Sequence, residues 1–289
     1  MIPRSRATAI GFVAVLLWAL LALFTVGSEP VPPLLLNTLC FGIGGILGLV
    51  WAAVTGALPS LRRVPLRVYI FGTIGLFGYH ALYFSALRLA PAAQAGLIAY
   101  LWPLLIVVLS GLLPGERLRA GHLLGAVLSL GGAALIITGG GGGFSAEHMA
   151  GYGLALLCAL TWASYSVLSR RLGQTPTASV AVFCLATAAL SLPLHLLFEQ
   201  TVWPVGPLGW ASVAGLGLGP VGLAFYVWDI GVKQGDIQLL GTSSYAAPLL
   251  STLVLVVFGV AAPSLTLLWA ALLITGGAVL AARASSAGK

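Results

Sequence analysis

Apolar runs of about 20 residues follow one another along the whole 289-residue chain, and the charged residues stand in the short intervals between them. A helix of that length rises about 30 Å, the thickness of a bilayer's hydrocarbon core. Inside hydrocarbon every backbone N–H and C=O must be satisfied within the protein, which leaves only helices and closed barrels. Barrel strands would alternate polar and apolar residues, and these runs do not. The expectation is an all-α integral membrane protein. Charged residues make up 7% of the chain, whereas a soluble domain carries about 25%. So few charges cannot cover a water-facing surface.

Turn residues and charges, used as punctuation, place ten helices at about 7–27, 32–55, 67–88, 93–113, 120–139, 150–170, 176–198, 207–231, 239–260 and 264–283. The first run, Ala7 to Gly27, is longer than a signal-peptide core and is read as a membrane helix. With ten helices, Arg4, Arg6, Arg62, Arg63, Arg67, Arg117, Arg119, Arg170, Arg171, Lys233, Arg283 and Lys289 fall on one face. Of the 13 cations only Arg88 falls on the other. By the positive-inside rule the crowded face is cytoplasmic, so both termini are expected there. The net charge of +7 is thus a topology signal spread along the chain rather than a nucleic-acid patch. The preference for Arg over Lys and the abundance of Ala, Gly and Leu suggest a GC-rich bacterial genome, and the expected location is the cell inner membrane. Cys40, Cys158 and Cys184 lie inside apolar runs without metal-ligand spacing and read as packing residues.

The two halves of the chain resemble each other. At an offset of 144 residues Trp18 meets Trp162, Pro32 meets Pro176 and Cys40 meets Cys184. At an offset of 145, Gly72 meets Gly217, Arg88 meets Lys233, Gly96 meets Gly241 and Tyr100 meets Tyr245. The same register aligns Pro103 with Pro248 and Gly131-Gly132 with Gly276-Gly277. Five helices per half is an odd number, so the halves enter the membrane from opposite sides. The expected organisation is a first five-helix repeat at 1–139, a Gly-rich external linker at 140–149 and a second, inverted repeat at 150–289. Inverted repeats give two pseudo-equivalent conformations with a site facing either side, which makes transport by alternating access the leading functional expectation.

The stretch Leu113-Pro-Gly-Glu-Arg-Leu118, followed by Gly125-Ala126 and Gly131-Gly132, resembles the fourth-to-fifth helix signature of the EamA family of the drug/metabolite transporter superfamily. Trp18, Trp162, Pro103 and Pro248 also match that family's pattern, and the likeness spans the chain as two copies of a five-helix unit. In the second copy the Gly-Glu pair becomes Val260-Ala261, so the glutamate is not duplicated. Within the family the pattern is most similar to the YddG-type aromatic amino acid exporters. The resemblance implies a ten-helix basket around a central cavity and export of small metabolites from the cytoplasm.

Polar and aromatic groups within membrane helices are the candidates for contacting substrate. His80 and Tyr83 share a face of the third helix, with Tyr79 beside them, and their counterparts on the eighth are Phe225 and Trp228. Tyr100 and Trp102 precede Pro103, and Ser244 and Tyr245 precede Pro248. Each proline removes a donor and can kink its helix, giving Pro103 and Pro248 a gating or kinking role. Trp18, Trp162 and Tyr165 come from the first and sixth helices. Trp102 breaks the repeat, since Ala247 is its counterpart. The expected division gives Trp102 and Trp162 the apolar and cation–π surface, and His80, Tyr100, Ser244 and Tyr245 the hydrogen bonds, with Tyr83 and Tyr165 alongside. Trp51, Trp203, Trp210 and Trp269 read instead as interfacial or packing residues.

Asp and Glu are absent from the helix centres, so a carboxylate relay has no support, and His80 is the one mid-membrane group that titrates near neutrality. Two modes stay open: proton coupling through His80, or facilitated movement down the substrate gradient, which a lone histidine favours. Glu116, next to Arg117 and Arg119, reads as a loop ion pair or gate contact. Gly217 to Gly222 fits the dinucleotide fingerprint but has no strand before it. Paired catalytic carboxylates, metal-ligand clusters and cofactor motifs are all missing, which sets an intramembrane enzyme far behind a transporter. A broad-specificity drug or metabolite exporter is the runner-up. The expected partners are a small-molecule substrate and the lipid bilayer, with no nucleic acid, and nothing in the sequence specifies an oligomer.

Overall fold

The chain's computed structural model describes residues 2–138, 143–172, 175–259 and 262–286. Met1, Gly139, the linker residues Gly140 to Gly142, Gly173, Gln174, Val260, Ala261 and Ala287 to Lys289 lie outside the described residues. In chain order the helices are α1 (Arg4–Trp18), α2 (Leu21–Gly27), α3 (Pro33–Val54), α4 (Leu58–Leu61), α5 (Leu66–Thr73), α6 (Tyr79–Leu89), α7 (Ala92–Ala99), α8 (Trp102–Ser110) and α9 (Ala120–Thr138). They continue with α10 (Met149–Arg171), α11 (Ser179–Phe198), α12 (Gly206–Leu218), α13 (Ala224–Gln234), α14 (Ile237–Ser243), α15 (Ala246–Val257) and α16 (Leu265–Ser286). Joined through their breaks, these give nine helices among the described residues that are long and apolar enough to cross a membrane. Gln94–Ser110 is a shorter apolar helix.

Several runs expected to be continuous are interrupted in the middle. A π turn, Ile74–Gly78, joins α5 to α6, and another, Gly219–Leu223, joins α12 to α13. These two turns are 145 residues apart. The second contains Pro220, which cannot donate the usual i→i−4 bond, so the wider turn accommodates it. Further breaks fall at Tyr100–Leu101 and Ser244–Tyr245, just before Pro103 and Pro248. A proline's ring crowds the carbonyl four residues back, and both breaks fall inside that span.

Helices of the first half pair with helices of the second: α9 with α16, α3 with α11, α1 with α13, α6 with α10 and α8 with α14. Small residues let the backbones meet, the usual device where hydrocarbon removes the hydrophobic drive to associate. A Cβ built on Gly11 would stand 2.8 Å from the Gly231 Cα, and one on Gly44 would stand 2.8 Å from the Gly222 Cα. Gly222, with Gly217 against Ile43, therefore serves the packing of α3 on α12 and the second π turn, a structural role for two glycines of the dinucleotide-like stretch. Gly121 and Gly125 likewise face Ala284 and Gly277 on α16. Outward positions carry large apolar groups such as Leu66, Val257 and Leu265, all strongly exposed and suited to lipid.

Hydrogen bonds tie the two ends of the bundle differently. At one end Gly115, with φ +81°, turns the chain so that Glu116 points inward. The Glu116 carboxylate accepts from Arg170 (2.6 Å) and from Arg4 (3.0 Å). Arg4 also lies 3.5 Å from Asp236, and Arg170 donates to the carbonyls of Val232 (3.0 Å) and Gly235 (2.8 Å). The glutamate thus pairs with arginines from α1 and α10 instead of its sequence neighbours Arg117 and Arg119. At the other end the Glu199 carboxylate accepts from the N–H groups at the start of α3, Leu34 (3.0 Å) and Leu35 (3.2 Å), and sits 2.9 Å from His195 Nδ1. A carboxylate at a helix N-terminus satisfies orphan donors and matches the helix dipole.

Candidate aromatic site between the two halves

Four tryptophans from four helical segments meet in the middle of the bundle. Trp18 ends α1, Trp102 begins α8, Trp162 lies on α10 and Trp228 on α13. Every pair among them is in ring contact, from 5.1 Å for Trp18–Trp228 to 6.4 Å for Trp102–Trp162. Most meet edge-on, the arrangement that a ring quadrupole favours. Two of the four spend their indole N–H on the scaffold. Trp18 Nε1 donates to the Pro220 carbonyl (3.1 Å) and Trp228 Nε1 to Ser166 Oγ (3.1 Å). Trp102 and Trp162 make no hydrogen bond with the described residues, so their N–H groups stay available.

The second π turn matters here, because it turns the Pro220 carbonyl toward Trp18. The first does the same for His80: Nδ1 donates to the Leu76 carbonyl at 2.7 Å. A carbonyl can only accept, which places the proton on Nδ1 and leaves Nε2 as an acceptor in the neutral ring. Four aromatic rings surround this imidazole, those of Phe41 (4.9 Å), Tyr79 (5.1 Å), Phe84 (6.2 Å) and Phe225 (6.4 Å). Tyr79 and Tyr83 stack at 6.1 Å, and Tyr79 also reaches Trp162 at 5.6 Å, joining the His80 face to the tryptophan cluster. Tyr100 touches Trp102 at 6.3 Å. The hydroxyls of Tyr83 and Tyr100 make no hydrogen bond with the described residues.

The expected site residues therefore divide. His80, Tyr83, Tyr100, Trp102 and Trp162 come together in one aromatic cluster with polar groups to spare. Tyr165 is buried behind it, stacked on Phe71 (5.5 Å) and against Trp162 (5.2 Å). Ser244 is fully buried and donates to the Leu240 carbonyl within its own helix (2.7 Å). Tyr245 is fully buried as well, and its Oη accepts the N–H of Leu104 at 3.1 Å. That N–H is one of the donors left orphaned at the start of α8, so Tyr245 works as a cap for the helix broken beside it.

Phe41 was not singled out by the sequence. It stacks on Phe225 at 5.5 Å and closes one side of the His80 pocket. Its repeat counterpart is Leu185, so no symmetric aromatic pair marked it. Ser166, the acceptor for Trp228, was missed too, since a serine mid-helix carries no signature of its partner. The tryptophans set aside as interfacial, Trp51, Trp203, Trp210 and Trp269, are all exposed, and Trp203 stacks on Trp210 at 6.2 Å. Asp229 is buried beside Lys233 (2.8 Å) and accepts from Thr177 (2.7 Å), so its carboxylate is committed to the scaffold.

Comparison with known proteins gives a consistent set of likenesses. The model of the EamA-like transporter family matches twice, over residues 6–138 and 149–283. A protein of Ancylobacter novellus named aromatic amino acid exporter YddG is 56% identical over 280 residues, covering 96% of this chain and 97% of that relative. A protein of the same name from Escherichia coli is 25% identical over 289 residues, covering 96% and 97%. A solved crystal structure of a protein 56% identical to this one superposes with a TM-score of 0.93, covering 96% of each chain.

Proposed function

The chain belongs to the EamA-like transporter family, and from that premise we propose that it exports aromatic and other neutral amino acids by alternating access. The observation that carries this reading is the aromatic cluster itself. Trp102 and Trp162 offer ring faces with uncommitted N–H groups, and His80, Tyr83 and Tyr100 offer polar atoms around them. Together they suit a ligand with an aromatic side chain and a charged backbone end, held by a few placed polar groups in an apolar surround. A cation–π contact from the substrate's ammonium to a tryptophan face fits the same arrangement. Tyr165 backs the site. Ser244 and Tyr245 are assigned to the scaffold that holds the helix breaks at Pro103 and Pro248.

The proposed architecture is ten membrane helices in two inverted five-helix repeats, 1–139 and 150–289, joined by an external linker at 140–149 and enclosing a central cavity. The reciprocal helix pairing between halves and the π turns in matched register support it. The proposed orientation puts both termini in the cytoplasm of a bacterial inner membrane, on the charge distribution. The end tied by Glu116 is then the cytoplasmic one, and the conformation is closed there. We assign facilitated export rather than proton coupling, because His80 sits among four rings with one nitrogen committed to a carbonyl and no carboxylate beside it. The protein moves its substrate and does no chemistry on it.

Counterflow in proteoliposomes, with a panel of amino acids and with or without a proton gradient, tests the reading. Phenylalanine, tyrosine and tryptophan should exchange, independently of the gradient, and Trp102→Ala or His80→Ala should cut the rate while the protein still inserts. Exchange of none of them refutes amino-acid export, and wild-type rates in both variants refute the site.

A further inference from the structure

The one cation on the external face, Arg88, stands at the edge of a cleft that the central cluster does not include. Beyond the first π turn α6 diverges from α11, on which α5 packs, and a space of about 230 Å³ opens between them. Leu34, Phe84, Leu194 and Phe198 form its apolar walls, with Ser85 and Arg88 as its polar edge. The volume lies below the roughly 300–1,000 Å³ of a drug-sized pocket and suits one small molecule.

Three observations give the cleft a chemistry. The Arg88 guanidinium lies 3.8 Å from Glu199, but that carboxylate is already engaged by Leu34, Leu35 and His195. Arg88 is ion-paired with Glu199 at that distance but makes no hydrogen bond with the described residues, so its planar fork of five N–H donors remains open to a second carboxylate. Second, the repeat counterpart of Arg88 is Lys233, which has a carboxylate four residues back: Asp229 lies 2.8 Å from its Nζ. The position four residues before Arg88 holds Phe84. Where the second half supplies its own carboxylate, the first half supplies a ring. Third, His80, Phe84 and Arg88 are spaced i, i+4, i+8 on one face of α6, and Phe84 is in ring contact with His80 (6.2 Å). A single helix face therefore runs from the central cluster to the cleft.

We propose that this cleft is an external subsite for an amino acid leaving the central cluster, with Arg88 holding its carboxylate and Phe84 and Phe198 flanking its side chain. The proposal rests on the amino-acid export reading above. Arg88 takes the carboxylate through two parallel N–H···O bonds, a geometry that lysine cannot reproduce and glutamine loses along with the charge.

A cysteine placed in the cleft reports its occupancy directly. In the full chain carrying Ser85→Cys, reconstituted in phosphatidylcholine vesicles, L-phenylalanine should slow labelling of residue 85 by an external maleimide. Adding Arg88→Gln should weaken that protection about tenfold in phenylalanine concentration, the loss of a charge-assisted pair. Phenethylamine, which lacks the carboxylate, should protect poorly with or without Arg88. Equal protection in the presence and absence of Arg88 would overturn the subsite, since it would reflect closure of the external end rather than occupancy. So would labelling that is slow only in phosphatidylglycerol vesicles and indifferent to phenylalanine, which would assign the cleft to a lipid headgroup. Counterflow measured on the same preparations separates the two readings. A wild-type chain that moves no aromatic amino acid refutes export itself, whereas normal counterflow without Arg88-dependent protection refutes the subsite alone.

Discussion

Glu116→Gln should loosen the end of the bundle that Glu116 ties to Arg4 and Arg170, and the structure sets the scale. The Glu116 side chain is 6% exposed and that of Arg170 is 18% exposed, at 2.6 Å. A hydrogen bond to a charged group at such a site contributes about 1.5–3 kcal/mol, of which the glutamine's neutral carbonyl retains about 1. Arg4 is 42% exposed, and solvent screening limits its share to about 0–1 kcal/mol. The expected loss is about 2 kcal/mol, or roughly thirtyfold in the ratio of closed to open forms. Ser169, on α10 one residue from Arg170 and only 3% exposed, is a suitable reporter. With Ser169→Cys as the parent, Glu116→Gln should speed maleimide labelling of residue 169 by about thirtyfold where opening limits reaction. An unchanged rate would refute the lock and leave closure to backbone packing such as that of Gly11 on Gly231.

Tyr245→Phe removes the acceptor for the Leu104 N–H and should lower stability by about 1–3 kcal/mol. Its apparent KM for phenylalanine should barely move; a raised KM with an unchanged melting temperature would put Tyr245 against the substrate. Gly11→Leu should force α1 from α13 and abolish folded protein on size-exclusion chromatography, whereas Gly42→Ala, with open space within 4 Å of the added Cβ, should be neutral. Equal behaviour of the two would deny the close crossing. A reporter fused in the 57–66 loop should read cytoplasmic and one at Phe144 external, and the reverse pattern would invert the topology.

Helix placement was legible because hydrocarbon leaves the backbone so little choice: apolar length and charged punctuation located the spans to within a few residues. The breaks near Tyr100 and Ser244 were signalled by Pro103 and Pro248. The π turns were not, because a stretch such as Ile74 to Gly78 reads as ordinary helix until its neighbours decide where a carbonyl is wanted. The aromatic residues of the cluster were visible as matched positions on helix faces, but not which of them were already in use. Only tertiary contacts reveal that Trp228 spends its N–H on Ser166 while Trp102 keeps its own. Glu116 shows the same limit. Its sequence neighbours Arg117 and Arg119 looked like partners, yet the arginines that hold it are 112 and 54 residues away.

The paired π turns also bear on the chain's history. A π turn amounts to an α-helix that has gained one residue, and the gain shifts every later side chain around the axis. On the reading of the chain as two copies of one unit, Ile74–Gly78 and Gly219–Leu223 carry that gain at the same place. Two independent insertions at equivalent positions are less economical than one inherited twice. The extra residue would then predate the duplication, and the ancestral five-helix chain would already have carried a π turn whose carbonyl serves an aromatic ring, His80 within its own helix run in one copy and Trp18 on α1 in the other. Deleting one residue from a single π turn would undo half of that inheritance and swing either Tyr79 to Leu89 or Ala224 to Gln234 about its own axis, leaving the other copy as the internal control.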